Sequence, residues 1–282
     1  IVTFKTFQSL SDVIKKNLHK LPGDIDLILG VERSGIIPAY IIALFLNKNV
    51  CSVNEFVNGL APQSGDRILS EKSTSRRKIL VVDDSVNLGN ALLKTKERLK
   101  GFSCEKYEII YLSVFAAQES AALVDYYFEI VENPRLFQWN YLNHGICERC
   151  CYDLDGVLCV DPTDEQNDDG EKYMEFLKNA KPLFIPAYEI NSIVTSRLEK
   201  YRKPTEDWLR QNNVKYKNLY MLDMPSAEER RKSGCHAEFK AKIYKKLKNT
   251  ICFFESDALQ ARKIAELSGK QCICVSTDEY FR

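Results

Sequence analysis

The sequence predicts an α/β protein of two domains, each a mainly parallel sheet flanked by helices. Its 282 residues exceed what one ordinary core needs. Short apolar runs alternate with amphipathic stretches through both halves, the pattern of parallel strands covered by helices. Two of those runs end on paired acids, VVDDS at Val81–Ser85 and YDLDGV at Tyr152–Val157. Two like charges beside buried apolar residues are costly unless a bound group or a cation answers them.

In the first half, DLILGV (Asp26–Val31) reads as a buried strand followed by a helix through Ile41–Leu46, and CSVNEFV (Cys51–Val57) as a second strand. Gly59–Lys78 is polar and basic with no apolar period, and a loop of that length inside a domain is usually functional or disordered. KILVVDD returns to a buried strand, Gly89–Lys100 to a helix, and YEIIYLSVFAA and YYFEIV complete a sheet of about five strands. Pro134–Arg149 lacks periodicity and holds the junction, giving domains 1–143 and 144–282. The second half runs CCYDLDGV, the acidic loop DPTDEQNDDGE, a helix at Lys172–Asn179, the strand INSIVTS and the helix KPTEDWLRQNN. NLYML, EFKAKIYKKLKN, ICFFESD, ALQARKIAELSG and QCICVST follow as alternating strands and helices, with Gly269 as a helix stop.

Composition excludes some classes. Apolar residues make up 45% and charged residues 28%, ordinary for a globular protein. The net charge of +1 gives no global case for nucleic acid or an anionic membrane as partner. The longest apolar run, Ile36–Leu46, is eleven residues and contains Pro38, short of the ~20 that span a bilayer. IVTFKTFQSL has neither the basic start nor the apolar centre of a signal peptide, so a cytoplasmic protein with its ten cysteines reduced is expected. His144, Cys147, Cys150 and Cys151 include one C-x-x-C pair; zinc normally wants two such pairs, so free thiols in a linker are expected.

In open parallel sheets, ligands sit beyond the carboxyl ends of the strands. Asp83 and Asp84 close a strand there, and the following Ser85–Asn90 leads into a helix whose freed amides suit a phosphate, with Gly89 allowing close approach. At these residues the chain resembles the type I phosphoribosyltransferases. The resemblance implies that Asp83 and Asp84 contact the ribose 2- and 3-hydroxyls of phosphoribosyl pyrophosphate (PRPP). Ser85, Val86, Asn87, Leu88, Gly89 and Asn90 would cradle its 5-phosphate, although Asn87 and Leu88 stand where hydroxyl residues are common. LILGVERSGIIPAY supplies Gly30, Arg33, Ser34 and Gly35 at a second helix start, where the family has its pyrophosphate loop. The basic stretch with Arg67, Lys72, Arg76 and Arg77 matches the family's flap, which would add positive charge where the leaving group gains negative charge.

YDLDGV resembles the first motif of the haloacid dehalogenase-like (HAD) hydrolases. The resemblance implies a nucleophilic Asp153 and an acid–base Asp155, with Mg2+ as cofactor held at Asp153, Asp155, Glu255 and Asp257. Thr195 in INSIVTSR would bind phosphoryl oxygens, with Ser196 and Arg197 adjacent. Lys240 would be the steadying cation and Lys242 the alternative, since two lysines two apart on a helix cannot both face one site. The short spacing between the first two motifs leaves room for a small cap at most, and the acidic loop would form the rim.

Transfer from PRPP leaves a 5-phosphate that the second domain can remove. GVERSGIIPAY, PRLFQWN, DLDGVLCVDPT and VTSRLEKYRKPTEDWL resemble two-domain bacterial proteins linked to ribofuranose in surface polysaccharides. The expected function is transfer of 5-phosphoribose to a glycan acceptor, lipid-linked or oligosaccharide, followed by dephosphorylation. A nucleobase phosphoribosyltransferase coupled to a nucleotide phosphatase, and a PRPP-sensing domain, are the alternatives. The sequence leaves oligomeric state open.

Overall fold

The structure is a computed structural model that describes residues 1–65, 76–102 and 106–282. The chain forms two compact units, Lys5–Arg135 and Leu136–Arg282 with Ile1–Phe4. After β1 (Thr3–Lys5), the first unit runs α1 (Phe7–Asn17), β2 (Leu27–Gly30), α2 (Ile36–Leu46), β3 (Asn49–Ser52), α3 (Val53–Val57), β4 (Arg77–Val86), α4 (Asn90–Leu99), β5 (Tyr107–Ala116) and β6 (Tyr126–Ile130). Its sheet has the order β3-β2-β4-β5-β6, parallel throughout. The central β4 is buried on both faces, and Leu29, Val31, Val53, Ile79 and Val81 belong to one of the packed faces.

CSVNEFV is not one strand. It splits after Ser52, whose hydroxyl accepts the Glu55 amide at 3.1 Å while Glu55 takes the Ser52 amide at 2.6 Å. This reciprocal S-x-x-E cap starts α3 and overrides the β-preference of the two valines.

The second unit follows β7 (Arg135–Phe137) with β8 (Cys150–Tyr152), α5 (Glu171–Asn179), β9 (Ile190–Leu198), α6 (Arg202–Gln211) and β10 (Tyr216–Leu222). It continues through α7 (Ala227–Ser233), α8 (His236–Lys246), β11 (Cys252–Glu255), α9 (Ala258–Ser268), β12 (Cys272–Cys274) and β13 (Tyr280–Phe281). The sheet order is β10-β9-β8-β11-β12-β13, parallel except for the antiparallel β12–β13 edge. β1 and β7 form a separate two-stranded ribbon.

The junction lies before the 143/144 boundary read from the sequence, because Leu136, Tyr141 and Cys147 already pack into the second core with Tyr152 and Phe254. That segment is aperiodic because it folds as short 3-10 turns at Tyr141–Asn143 and Gly145–Arg149. Cys147, Cys150 and Cys151 are therefore buried core thiols rather than linker residues, and the Tyr152 hydroxyl donates to Cys147 Sγ at 3.0 Å. Among the described residues no helix is long and apolar enough to cross a membrane.

Candidate active sites

In the first unit, β4 pairs with β2 up to Val82 opposite Gly30, so Asp83 and Asp84 stand at the level where β2 turns into the Val31–Gly35 loop. Ser34 Oγ donates to Asp84 Oδ1 at 2.7 Å, joining that loop to the acid pair. A Cβ on Gly35 would lie 2.6 Å from the Val31 carbonyl and 2.7 Å from that of Val82, so only glycine lets the loop lie flat on β4. α2 begins at Gly35 and α4 at Gly89, and neither start has a side-chain cap. At α2 the Ile36 and Ile37 amides already donate to the Arg33 and Ser34 carbonyls at 3.3 and 3.2 Å and Pro38 has no N–H, so the helix-terminal amides left for an anion near the acids are those that open α4. Gly89 has φ +80°, and a Cβ there would run into Leu123. A pocket of about 260 Å3 opens between Asp83, Ser85 and the Asn87–Leu92 turn. Both acids are buried. Burial and the neighbouring Asp84 carboxylate push Asp83 up to about 8.

In the second unit, Lys240 on α8 is 2% exposed and donates to Asp153 Oδ2 at 2.6 Å and Glu255 Oε2 at 2.7 Å. Burial works against its charge, yet the two carboxylates outweigh that and raise its pKa. Burial, opposed by Lys240, pushes Asp153 up to about 7. Asp153 Oδ1 accepts the Leu154 amide at 2.7 Å. Asp155 is gripped by Arg197 through Nε at 3.0 Å and Nη2 at 2.5 Å. Gly156, φ +74°, turns the chain there, since a Cβ would strike Ser256 and sit 2.8 Å from Asp161 Oδ2.

Residues 6–147, half of the chain, match the model of the phosphoribosyl transferase domain. The chain belongs to the phosphoribosyl transferase domain family. Solved structures similar to part of it include a purine phosphoribosyltransferase from Pyrococcus horikoshii Ot3 (22% identity, 49% of this chain, 94% of that one, TM-score 0.37). Others are a Helicobacter pylori xanthine-guanine-hypoxanthine phosphoribosyltransferase (19%, 49% and 94%, 0.37) and an orotate phosphoribosyltransferase from Aeropyrum pernix (19%, 44% and 71%, 0.30). No curated protein matches the chain.

Within the phosphoribosyl transferase domain the expected site residues separate into groups. Asp83, Asp84, Gly30, Ser34 and Gly35 come together, and Arg33 lies exposed on the same loop. Ser85 and Val86 are still strand residues, opposite Phe115 and Ala116, so the turn proper is Asn87–Gly89. Asn87 Oδ1 accepts from Asn133 at 2.8 Å, and Leu88 is exposed. Arg76 and Arg77 depart from expectation. Arg77 opens β4 at its amino end, six residues from Asp83 and so ~20 Å away at ~3.3 Å per residue, too far to cover a leaving group there. Arg67 and Lys72 lie outside the described residues. The sequence reading missed Arg135, a buried guanidinium near enough for Asp84 to act on it. It falls in the aperiodic segment Pro134–Arg149, where a cation following the last strand is the available signal.

Beyond the phosphoribosyl transferase domain, Asp153, Glu255 and Lys240 meet as one cluster, and Lys240 rather than Lys242 makes the contacts. Thr195 is buried within β9, three residues before its end, and accepts the Arg197 amide at 3.2 Å. Arg197 is committed to Asp155, Thr205 and the face of Phe176 rather than to an open phosphoryl position. The four acids expected to hold Mg2+ do not converge as a cage: among the described residues no three His, Cys, Asp or Glu are so arranged. Glu255 spends Oε2 on Lys240 and Oε1 on the Ser256 amide, and Asp257 caps α9 through Gln260. Asp153, Asp155, Asp161, Glu255 and Asp257 still outnumber Lys240 and Arg197, and Asp161 is raised by partial burial and then by Asp155 and Glu255. That surplus of oxygen-borne charge suits a hard cation.

The acidic loop is anchored rather than a free rim. Asp168 takes the Gly170 and Tyr173 amides, and Asp169 takes the Ala227 amide and the Tyr201 hydroxyl. The pockets of about 220 and 660 Å3 along α5 and α6 are not lined by Asp153.

Proposed function

We propose that this chain is a bifunctional enzyme that moves 5-phosphoribose from PRPP onto a glycan acceptor and then removes the 5-phosphate, leaving ribofuranose in a surface polysaccharide. The observation that carries the first step is the buried Asp83–Asp84 pair between the Ser34–Gly35 loop and the uncapped start of α4. Acids of that kind accept hydrogen bonds from sugar hydroxyls, while the amides at Asn87–Asn90 and at Gly35 receive the 5-phosphate and the pyrophosphate. Attack on the anomeric carbon opposite the departing α-linked pyrophosphate gives a β-ribofuranoside.

For the second step, the Asp153–Lys240–Glu255 cluster supports an aspartyl-phosphate route in a HAD-like domain. The Asp153 carboxylate attacks phosphorus and Lys240 balances the charge that accumulates. Asp155 protonates the leaving sugar oxygen and later takes a proton from water, for which its ion pair with Arg197 must open. Mg2+, held at Asp153, the Asp155 carbonyl and Asp257, would supply further charge neutralisation when bound. Sharing one chain raises the intermediate's effective concentration at the second site, on the order of millimolar for short flexible tethers.

The test is mass spectrometry of oligosaccharide acceptors after incubation with PRPP and Mg2+, run beside purines and pyrimidines scored for pyrophosphate release. A pentose added by the intact chain, and a phosphopentose added by Asp153→Asn, is the expected result. Turnover with nucleobases alone replaces the glycan by a nucleobase acceptor, and loss of pentose addition in both Asp153→Asn and Asp84→Asn overturns the division of labour.

A further inference from the structure

Arg230 on α7 is 7% exposed, and among the described residues its guanidinium has no ion pair. Nη1 donates to the Ser196 carbonyl at 3.0 Å and Nη2 to Asn167 Oδ1 at 3.3 Å, but Nε is buried with no partner. Ser196 Oγ, in a residue 8% exposed, is likewise buried and unpartnered. A buried guanidinium without an anion, beside a buried hydroxyl without a partner, is doubly unfavourable. The arrangement is nonetheless built from several elements. Asn167 fixes Arg230 and also accepts Arg231 through its carbonyl, while Asp169 holds the first amide of α7.

The position of this pair matters. β8 and β9 are in register at Tyr152 and Ile193, so Asp153 and Ser196 both lie at the carboxyl edge of neighbouring strands. Val194, two residues before Ser196, packs on the same side of the sheet as Cys151, two residues before Asp153. α8, which carries Lys240, covers that side through Ala237 and Tyr244. His236, one turn before Lys240, is near enough to both Arg230 and Lys240 for each to lower its pKa after burial does, so the two cations share one neighbourhood.

We propose that Ser196 and Arg230 form a phosphate subsite, in which a phosphoryl oxygen takes the free Arg230 Nε–H and the Ser196 hydroxyl. It deepens the phosphatase reading and rests on it for the identity of the phosphate ester. A tetrahedral anion presents several acceptor oxygens, so one oxygen reaches this pair while phosphorus faces Asp153. A planar guanidinium fixed through both Nη groups offers Nε in one direction only, which makes the subsite an orienting device. Arg230 then serves the place left by Arg197, whose guanidinium is taken by Asp155.

The test is calorimetric titration of orthophosphate into the full chain, comparing wild type, Ser196→Ala, Arg230→Lys and Arg230→Gln. The first unit is the same in every variant, so differences between isotherms report this subsite. We expect at least a tenfold loss of affinity at one site in Ser196→Ala and Arg230→Gln, and a smaller loss in Arg230→Lys. Should Arg230→Gln fail to fold, Ser196→Ala and Arg230→Lys decide the matter. Absence of a Ser196-sensitive phosphate site, as when the orphan atoms are satisfied by buried water, overturns the proposal. Hydrolysis of p-nitrophenyl phosphate, measured in parallel, separates the two readings. Ser196- and Arg230-dependent binding without hydrolysis removes the phosphatase and keeps the subsite. Hydrolysis with unchanged KM and unchanged orthophosphate affinity in Ser196→Ala does the reverse.

Discussion

Replacing Lys240 by methionine keeps the volume of the side chain and deletes the one cation between two buried carboxylates. Lys240 and Glu255 are essentially inaccessible, and the Nζ contacts are 2.6 and 2.7 Å, so solvent screens little of the loss. Breaking such a buried pair costs about 3–5 kcal/mol. At about 2–4 °C per kcal/mol for a unit of this size, the melting transition should fall by roughly 6–20 °C at pH 8. The sign of the pH dependence follows from Asp153, already raised to about 7 with Lys240 present. Removing the lysine raises Asp153 further, since Lys240 is the group that lowers it. A carboxyl raised in the fold binds more protons than in the unfolded chain, so stability falls as pH rises through that window. The deficit must therefore be large at pH 8 and much smaller at pH 5. Calorimetry of the full chain at both pH values reads it directly, and Lys240→Met combined with Asp153→Asn and Glu255→Gln should recover most of the loss at pH 8. Equal deficits at both pH values would mean that packing, not charge, holds Lys240 in place, and the account of the cluster would be wrong.

Three more expectations follow from the geometry. Asp155→Asn should destabilise more than Arg197→Met in denaturant titrations, because Arg197 is wholly buried while the Asp155 side chain is 18% exposed and can be solvated alone. Asp83→Asn should stabilise the first unit at pH 8 by up to about 6 kcal/mol and by little at pH 4. The raised Asp83 carboxyl, near 8 in the fold, costs stability increasingly from its ordinary value upward at ~1.4 kcal/mol per pH unit; the same change should abolish pyrophosphate release. Arg77→Ala should leave pyrophosphate release within about twofold of wild type, since the ~20 Å length of β4 separates it from Asp83, and a tenfold loss would return it to the site.

Long buried strands such as β4 and β5, and helices such as α9 with Gly269 behind it, were legible because apolar runs and stop signals speak locally. The break inside CSVNEFV had a local signal too, the Ser52–Glu55 capping box, which competes with β-branched valines and wins. The candidate site was legible where a motif fixes a residue to a strand tip, as for Asp83, Asp84 and Asp153. It was not legible where partnership is tertiary. Nothing near Arg197 in sequence says that Asp155 will occupy it, since forty-two residues separate them. Arg230 lies in a segment without a motif and Arg135 in PRLFQWN, whose resemblance assigns it no role, and both acquire meaning only from what the fold packs around them. The basic stretch misled for a simpler reason. Charge in a loop fixes a composition, while the end of the sheet to which each arginine belongs is set by where the next strand begins.

The two acid clusters differ in how their charge is balanced, and the difference separates what each can bind. Asp83 and Asp84 are buried near the carboxyl end of β4 with a serine hydroxyl and a backbone amide as close donors, and one carboxyl responds by rising toward neutrality. Such a pair gains from neutral donors such as sugar hydroxyls, and it repels an anion unless helix amides answer the anion separately, as the start of α4 can. In the second unit each of Asp153 and Asp155 has its own buried cation, and Arg230 adds a third with no carboxylate against it. These cations offset part of the negative surplus there, and the remainder is what a bound hard cation would answer before a phosphate approaches an aspartate. Moving that balance is the sharpest way to probe the assignment: Arg230→Gln removes the unopposed cation without touching Asp153, and phosphate affinity should fall while the Lys240 ion pairs and their pH-dependent contribution to stability stay as they are.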